Sequence, residues 1–186
     1  MKVRAATPDD AAAIAEIYAP YVTGSVVSFE TEPPDADSIR ARIAAASGLY
    51  PWLVAEAEGG ALLGYAYAAP FRTRPAYRFT VETTVYLRRE ACGRGLGGSL
   101  YERLLAVLEA QGFTQAIAAI SLPNAASVRL HERLGFAPAG TYRQVGWKLG
   151  AWHDVGLWQR PLAEALTPPP EPIAMPGRNR VQSIRT

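Results

Sequence analysis

A run of glycines in the middle of the chain has the residue types that bind phosphate groups. Glycine lets backbone N–H groups approach a ligand closely, and a helix that starts beside it adds the positive potential of its first turn. The run lies between a predicted strand and a long amphipathic helix. We therefore predict that it holds a pyrophosphate, with an arginine adding positive charge. Its residues are Gly93, Arg94, Gly95, Leu96, Gly97 and Gly98.

Two classes of ligand compete for this loop, and the flanking sequence separates them. Gly93, Gly95 and Gly98 match the G-x-G-x-x-G spacing of dinucleotide-binding folds. Those folds also need a carboxylate about 20 residues later, at the end of the next strand, where residues 120–123 read Ile-Ser-Leu-Pro. Residues 88–92 also separate the glycines from the preceding strand. The context therefore disfavours a nicotinamide dinucleotide and an oxidoreductase; the other candidate ligand is coenzyme A.

The loop resembles the coenzyme A loop of the GNAT N-acetyltransferase family, which reads Q/R-x-x-G-x-G/A. Residues 92–97 fit this pattern except at the first position, where Cys92 replaces Gln or Arg. A second family element, N-x-x-S-x-x-L-Y-x-x-x-G-F, is also present, with His131 in the place of Tyr. The residues that match it are Asn124, Ser127, Leu130, Gly135 and Phe136.

Further segments are similar to the phosphinothricin N-acetyltransferase group within that family, and they follow in order up to about Leu162. The resemblance implies that residues 1–162 form a GNAT domain that uses acetyl-CoA. Its fold would be α/β (α+β), with a mixed, mostly antiparallel sheet, a splayed parallel strand pair and flanking helices. The similar segments are residues 50–56, 83–87, 109–113, 122–124, 127–132 and 152–156.

Direct attack of an amine on a thioester requires a general base, and Glu82 is the candidate. It lies in a predicted strand, one step out of phase with Val81 and Thr83, so its side chain points to the opposite face. The resemblance places the catalytic carboxylate at Glu82, acting directly or through water. A solvated strand carboxylate is the alternative interpretation.

His131 stands where many members of the family have the Tyr that protonates the leaving thiolate. An imidazole can donate or accept a proton near neutral pH, which suits the same role. A histidine that only packs in a helix is the alternative. Asn124 and Ser127, at the start of that helix, are expected contacts of the cosubstrate, although Asn124 also suits a helix N-cap.

The resemblance also assigns backbone contacts to the end of the preceding strand. Val85, Tyr86 and Leu87 are expected to pair with the pantetheine arm like an added strand. A backbone N–H near Leu87 is expected to donate to the oxyanion.

The acceptor is expected to meet basic residues between two predicted strands. Arg72 and Arg74 suit an acceptor with two anionic ends, such as a carboxylate and a phosphinate, with Tyr77 beside them. Phe29 and Glu30 are expected to form another wall of the pocket. The resemblance implies that the α-amine of phosphinothricin, methionine sulfoximine, methionine sulfone or a similar small amino acid is acetylated. A solvated basic loop is the alternative for the arginines.

Two other functions stay open. A protein or peptide N-acetyltransferase would need an open groove instead of an arginine-lined pocket. A non-catalytic acyl-CoA sensor fits the departures at Cys92 and His131, but it has no need for a base such as Glu82.

The elements that must position these residues follow from hydrophobic periodicity and turn residues. Helices are predicted to open at residues 7–10 and 33–35 and to cover residues 96–111 and 124–134. The proline-rich sequence after Leu166 predicts that residues 163–186 form an extended or mobile tail. Strands are predicted at residues 2–5, 52–55, 61–69, 79–87, 116–121, 136–142 and 153–159.

Composition restricts the class of protein further. The chain has 186 residues, which is enough for one sizeable core. Its 19 Lys and Arg are nearly balanced by 17 Asp and Glu, so little positive charge is left to form a basic face that binds nucleic acid. One cysteine and two histidines argue against a disulfide or a metal site. Neither a signal peptide nor an apolar run of about 20 residues is present, so we expect a cytoplasmic protein that does not enter a membrane.

Several members of the family are homodimers, and apolar residues near the carboxyl end offer a surface for the same assembly. Aromatic residues there fit the core equally well. These residues are Trp147, Trp152, Leu157 and Trp158.

Overall fold

The computed structural model describes residues 1–46 and 48–175, which form a seven-stranded sheet flanked by helices. Its strands lie in the order β1-β2-β3-β4-β5-β7-β6, and all neighbours are antiparallel except β4 and β5. This confirms the predicted fold class. The strands are β1 (Lys2–Ala5), β2 (Trp52–Glu56), β3 (Leu62–Pro70), β4 (Thr80–Leu87), β5 (Gln115–Leu122), β6 (Ala137–Lys148) and β7 (Ala151–Pro161). The helices are α1 (Ala11–Thr23), α2 (Ala36–Ala45), α3 (Leu96–Ala110) and α4 (Ala125–Arg133).

Helices cover both faces of the sheet. Alternate residues of the strands point to opposite faces and therefore enter two separate cores. On one face, Leu100, Leu104 and Leu108 of α3 recur at helical spacing and pack in the cluster that contains Val81 of β4. On the other face, α1 and α2 form a cluster with Tyr86 of β4. The strand that carries Glu82 is therefore held from both sides.

The parallel strands β4 and β5 separate towards their carboxyl ends. Their last paired residues are Glu82 and Ile117, although β4 continues to Leu87. The Phe79 carbonyl accepts from Thr114 on the β5 side, whereas the Arg88 N–H donates to Leu63 on the β3 side. Because peptide groups alternate along a strand, those of Val85 and Leu87 point into the opening between β4 and β5.

The hairpin of β6 and β7 is longer than the sequence predicted, which is a correction to the expected strands 136–142 and 153–159. The two strands extend to a turn at Leu149 and Gly150, both with positive φ. Register shifts occur between Pro138 and Gly140 and between Tyr142 and Gly146. These irregularities interrupt the alternation on which the prediction depended.

The residues that follow the sheet lie across the carboxyl end of α3. The Ile173 N–H donates to the Gln111 carbonyl, and the Gln111 side-chain amide donates to the carbonyls of Leu49 and Ile173. Arg78 forms an ion pair with Glu171. The division at residue 162 stays a prediction, and residues 176–186 of the expected tail lie outside the described part of the chain.

Candidate active site

A cavity of about 740 Å³ lies where β4 and β5 separate, between the glycine loop and α4. Gly93 and Gly95 have φ values of +77° and +79°, which L side chains rarely adopt, so the loop requires glycine there. The loop leads into α3, whose first N–H groups have no acceptor within the helix. Of the expected cosubstrate contacts, those that line the cavity are Val85, Tyr86, Leu87, Gly93, Gly95, Gly97, Gly98, Asn124 and Ser127.

The charge of this cavity comes from α4 and not from the glycine loop. Arg129 and Arg133 are among the lining residues, together with the anionic Glu132, whereas Arg94 and Leu96 are not. Both arginines lie on α4, facing a loop whose backbone N–H groups are donors. Cationic side chains opposite backbone donors suit a pyrophosphate, so this cavity fits coenzyme A.

A second pocket, of about 430 Å³, adjoins the first on the face of the sheet that carries Glu82. Glu82 is half-buried, and this burial raises the pKa of its carboxyl group. Phe29 and Glu30 line the same pocket. The other lining residues are Tyr18, Val27, Ser28, Tyr67, Thr84, Tyr86, Ala119, Ser121 and Val155.

Glu30 belongs to a polar network that holds one wall of this second pocket, which we call the acceptor pocket because the sequence predicted Phe29 and Glu30 as a wall of the acceptor site. Its carboxylate accepts two bonds from Arg42, at 2.7 and 3.0 Å, and one from the Tyr18 hydroxyl at 3.0 Å. The guanidinium of Arg42 is the main reason that the pKa of Glu30 is lowered. Tyr18 also lies 2.6 Å from Ser28 Oγ. We call residues 24–30 the wall loop.

The wall loop is attached to the hairpin by a buried lysine. Lys148 on β6 donates to the carbonyls of Val22 and Ser28, at 2.6 and 2.7 Å. Phe29 lies against Gly146, where a Cβ atom would come within 2.3 Å of its ring. A side chain at this position would therefore displace the Phe29 ring.

The structure does not bring Arg72, Arg74 and Tyr77 into the acceptor pocket. Among the described residues, no Lys or Arg lines it. The Arg72 guanidinium lies 5.0 Å from the centre of the Phe71 ring and donates to the Tyr142 hydroxyl at 3.3 Å. The three residues lie on the connection that enters β4, outside the pocket lining.

His131 is buried behind the cosubstrate cavity. Its Nδ1 lies 2.8 Å from the Ser127 carbonyl oxygen, and its Nε2 lies 3.2 Å from the Tyr101 hydroxyl. Burial is the main reason that the pKa of His131 is lowered. A cavity of about 50 Å³ between the separating strands is lined by both His131 and Ser127.

Asn124 lies at the start of α4, beside the large cavity. Its side-chain oxygen accepts from the Ser127 N–H at 3.1 Å, which caps α4, and the residue also lines the large cavity. Cys92 is exposed and lines the same cavity.

Sequence reasoning missed several residues of the two pockets. Ser121, a hydroxyl within an apolar strand, was a visible signal that went unused, whereas Arg129 and Arg133 gave none. Tyr101, which contacts His131, and Lys148, which donates to the wall loop, line neither pocket and also gave no signal. Within the described residues, no group of three or more His, Cys, Asp or Glu side chains is placed to hold a metal ion. None of the helices in this part of the chain has the length and apolar character needed to cross a bilayer.

Comparison with known proteins agrees with this geometry. The chain is 46% identical over 173 residues to a phosphinothricin N-acetyltransferase of Streptomyces viridochromogenes, with 93% of each chain covered. It is 38% identical over 169 residues to an L-methionine sulfoximine/L-methionine sulfone acetyltransferase of Salmonella typhimurium, covering 90% of this chain and 98% of that protein.

A solved structure and a family model extend the similarity to the fold. A GNAT superfamily phosphinothricin acetyltransferase from Sinorhizobium meliloti, in complex with acetyl-CoA, superposes with a TM-score of 0.86. It is 38% identical and covers 100% of this chain and 98% of its own. The family model described as an acetyltransferase (GNAT) domain matches residues 3–157. The chain therefore belongs to the GNAT family of acetyl-CoA-dependent acetyltransferases.

Proposed function

We propose that this chain acetylates the α-amine of a small amino acid or analogue of the phosphinothricin, methionine sulfoximine or methionine sulfone type. The observation that supports the proposal is the place of Glu82, a half-buried carboxylate in the lining of a pocket that adjoins the cosubstrate cavity. Val27 and Tyr86 line both, so the two ligands meet between them. The names of relatives in two groups support this class of acceptor.

Glu82 is the general base in this proposal. An α-amine is protonated at neutral pH and must lose a proton before it attacks the thioester. Burial raises the pKa of Glu82 towards the working pH, which makes the carboxylate a better acceptor while it stays ionised. The proton moves from the amine to Glu82, directly or through water.

The reaction also needs hydrogen-bond donors to the oxyanion and a group that stabilises the leaving thiolate. Backbone N–H groups serve the first need in this proposal, and His131 serves the second. The N–H groups of Val85 and Leu87 point into the opening between β4 and β5, where they suit the negative charge that develops on the carbonyl oxygen. His131 lies behind Ser127 on α4 and serves the leaving thiolate.

A small acceptor fits the pocket better than a peptide. The pocket measures about 430 Å³ and is bounded by the wall loop, whereas a protein substrate needs an open groove. Ala69 pairs with Glu82, so the β3–β4 connection starts beside the base. We propose that Arg72, Arg74 and Tyr77, on this connection, meet the outer end of the acceptor.

We also propose that the protein is a homodimer. Trp147 and Trp152 are exposed on the hairpin, whereas Trp158 is buried in the core and Leu157 is half-buried. Trp147 and Trp152 thus suit a surface between subunits, whereas Trp158 belongs to the core. Location in the cytoplasm stays a prediction.

The test is thiol release from acetyl-CoA with phosphinothricin, methionine sulfoximine, methionine sulfone and a lysine-containing peptide as separate acceptors. We expect acceleration by the small amino acids alone. Activity with the peptide alone would overturn the proposed acceptor class. Acetyl-CoA binding without turnover of any acceptor would favour the non-catalytic sensor.

Replacing Glu82 by Gln tests the base. We expect turnover to fall by roughly 10²–10⁴, because general base catalysis contributes about that much, while acetyl-CoA binding is unchanged. In the wild type, kcat/KM for the acceptor should fall as the pH drops through the raised pKa of Glu82, and Glu82→Gln should lose that limb. The matched control is Glu58→Gln in the exposed β2–β3 turn. Near-wild-type turnover of Glu82→Gln between pH 6 and 9 would remove Glu82 from this role.

A further inference from the structure

Arg133, in the last turn of α4, lies against the first turn of α3. A Cβ atom at Gly98 would come within 2.8 Å of Arg133 Nη2 and 3.8 Å of its Cζ atom. Gly98 is buried within α3, where glycine is less favourable than alanine. The missing Cβ atom therefore leaves the space in which the guanidinium lies.

The position of this guanidinium points to an anion beside it. The first N–H groups of α3 have no acceptor in the helix, and no side chain of the described chain caps them. A cation next to this positive end of a helix is unfavourable unless a negative group lies between the two. Arg133 forms no ion pair with any described residue, and the Oε1 atom of its neighbour Glu132 lies 3.5 Å from Trp158 Nε1. Because Gly98 and Arg133 both line the cosubstrate cavity, an anionic part of the cosubstrate suits this place.

The glycine loop has no side chain of its own that supplies this charge. Cys92 stands where the family has Gln or Arg, and its thiol donates to the Arg88 carbonyl at 3.5 Å. The guanidinium groups of Arg88 and Arg89 donate to α1. Arg94 does not line the cavity. The positive charge that faces the loop is therefore on α4.

We propose that Arg133 binds the pyrophosphate of acetyl-CoA and so replaces the Gln or Arg that the family has in the place of Cys92. Gly98 makes room for the guanidinium beside the backbone donors of α3, so that both can bind one anion. Arg129, one turn earlier on α4, adds a second positive charge to the lining. The inference concerns the cosubstrate alone, so it depends neither on the acceptor nor on the role of Glu82.

The first test measures binding in the absence of an acceptor, by titration calorimetry. We expect Arg133→Ala to raise the Kd of CoA by roughly tenfold or more, the scale of a hydrogen bond between charged groups. The Kd of 3′-dephospho-CoA, which keeps the pyrophosphate, should rise by the same factor. Arg40→Ala removes one exposed positive charge from α2, outside both pockets, and should leave both Kd values unchanged. Melting temperatures show whether each variant is folded.

Two results of this test would overturn the inference. An unchanged Kd of CoA in Arg133→Ala would mean that the guanidinium does not contact the cosubstrate. A higher Kd of CoA with an unchanged Kd of 3′-dephospho-CoA would mean that Arg133 binds the 3′-phosphate instead.

The second test asks whether Arg133 and the residue at the place of Cys92 serve the same anion. Cys92→Arg in the Arg133→Ala background should restore most of the lost affinity for CoA. In the wild type the same substitution should add little, because the pyrophosphate already has its guanidinium. An equal gain in both backgrounds would show that the two positions act independently, which contradicts the proposed replacement.

The third test concerns the space at Gly98. Gly98→Ala places a Cβ atom where the guanidinium lies, so the Kd of CoA should rise, whereas the melting temperature should stay equal or rise because alanine favours the helix. In the Arg133→Ala background, Gly98→Ala should have little further effect on the Kd. A loss of affinity that persists there would mean that the Cβ atom obstructs the cosubstrate directly, and the role assigned to Gly98 would be wrong.

Discussion

At the scale of single residues, the pocket contains a hydroxyl that the protein does not satisfy. Ser121 Oγ on β5 is buried and has no hydrogen-bond partner among the described residues. Ser121 lines both the acceptor pocket and the small cavity behind it. A buried hydroxyl without a partner costs about 1–3 kcal/mol, and a ligand that supplies the partner removes that cost. We therefore predict that Ser121 contributes to ligand binding.

Replacing Ser121 by Ala should separate function from stability. We expect kcat/KM for the acceptor to fall roughly tenfold, because the ligand loses a hydrogen bond of about 1.4 kcal/mol. The melting temperature should stay equal or rise, since no hydrogen bond of the protein is lost. Steady-state kinetics and thermal unfolding measure the two effects, with Ser99→Ala on the exposed side of α3 as the control. Unchanged kcat/KM would show that the hydroxyl only contacts water.

At the scale of elements, local patterns predicted the parts of the chain that carry Glu82, the glycine loop and His131. The alternation of β4, the stripe of α3 and the N-cap of α4 are properties of neighbouring residues, so the sequence shows them. The partners of Tyr101 and the position of Arg72 depend on packing between distant elements, which no local pattern contains. The resemblance to the family predicted that Ser127 contacts the cosubstrate. Its contact with His131 appeared only in the structure, because no local pattern contains it.

The hairpin shows how an element remote in sequence controls the acceptor pocket. Lys148 of β6 lies 120 residues after Ser28, yet it donates to that residue in the wall loop. Its burial lowers the pKa of its ammonium group, and two carbonyl acceptors offset the cost of burial. The wall loop therefore takes its position from β6.

Replacing Lys148 by Met should loosen this wall. The change leaves the carbonyls of Val22 and Ser28 without their donor, so we expect the free energy of unfolding to fall by about 2–3 kcal/mol. KM for the acceptor should rise several-fold, whereas KM for acetyl-CoA should change little, because the wall loop contributes mainly to the acceptor pocket. Lys2→Met, at an exposed lysine, is the control. Equal effects on both KM values would contradict this role.

At the scale of the whole molecule, the two faces of β6 have different surroundings. Gly146 and Lys148 face inwards to the wall loop, whereas the side chain between them, Trp147, is 59% exposed and contacts Trp152 at 5.4 Å between ring centres. β6 is also an edge strand, so its outer backbone groups have no neighbouring strand within the described part of the chain. Exposed aromatic rings on an open edge are typical of an interface between subunits.

Replacing Trp147 by Glu should therefore dissociate the proposed homodimer. A symmetric interface contains the same residue from both chains, so one substitution introduces two buried charges, and the variant should sediment with the mass of one chain. The fold should persist, because the Trp147 side chain lies outside both cores. Leu166→Glu, at an exposed leucine away from the hairpin, should leave the sedimentation unchanged. If the wild type itself sediments as a monomer, the exposed face of the hairpin is not a dimer interface and the proposed homodimer is wrong. If Trp147→Glu is monomeric and its KM for the acceptor also rises, assembly reaches the acceptor pocket through β6, since Lys148 is the adjacent residue.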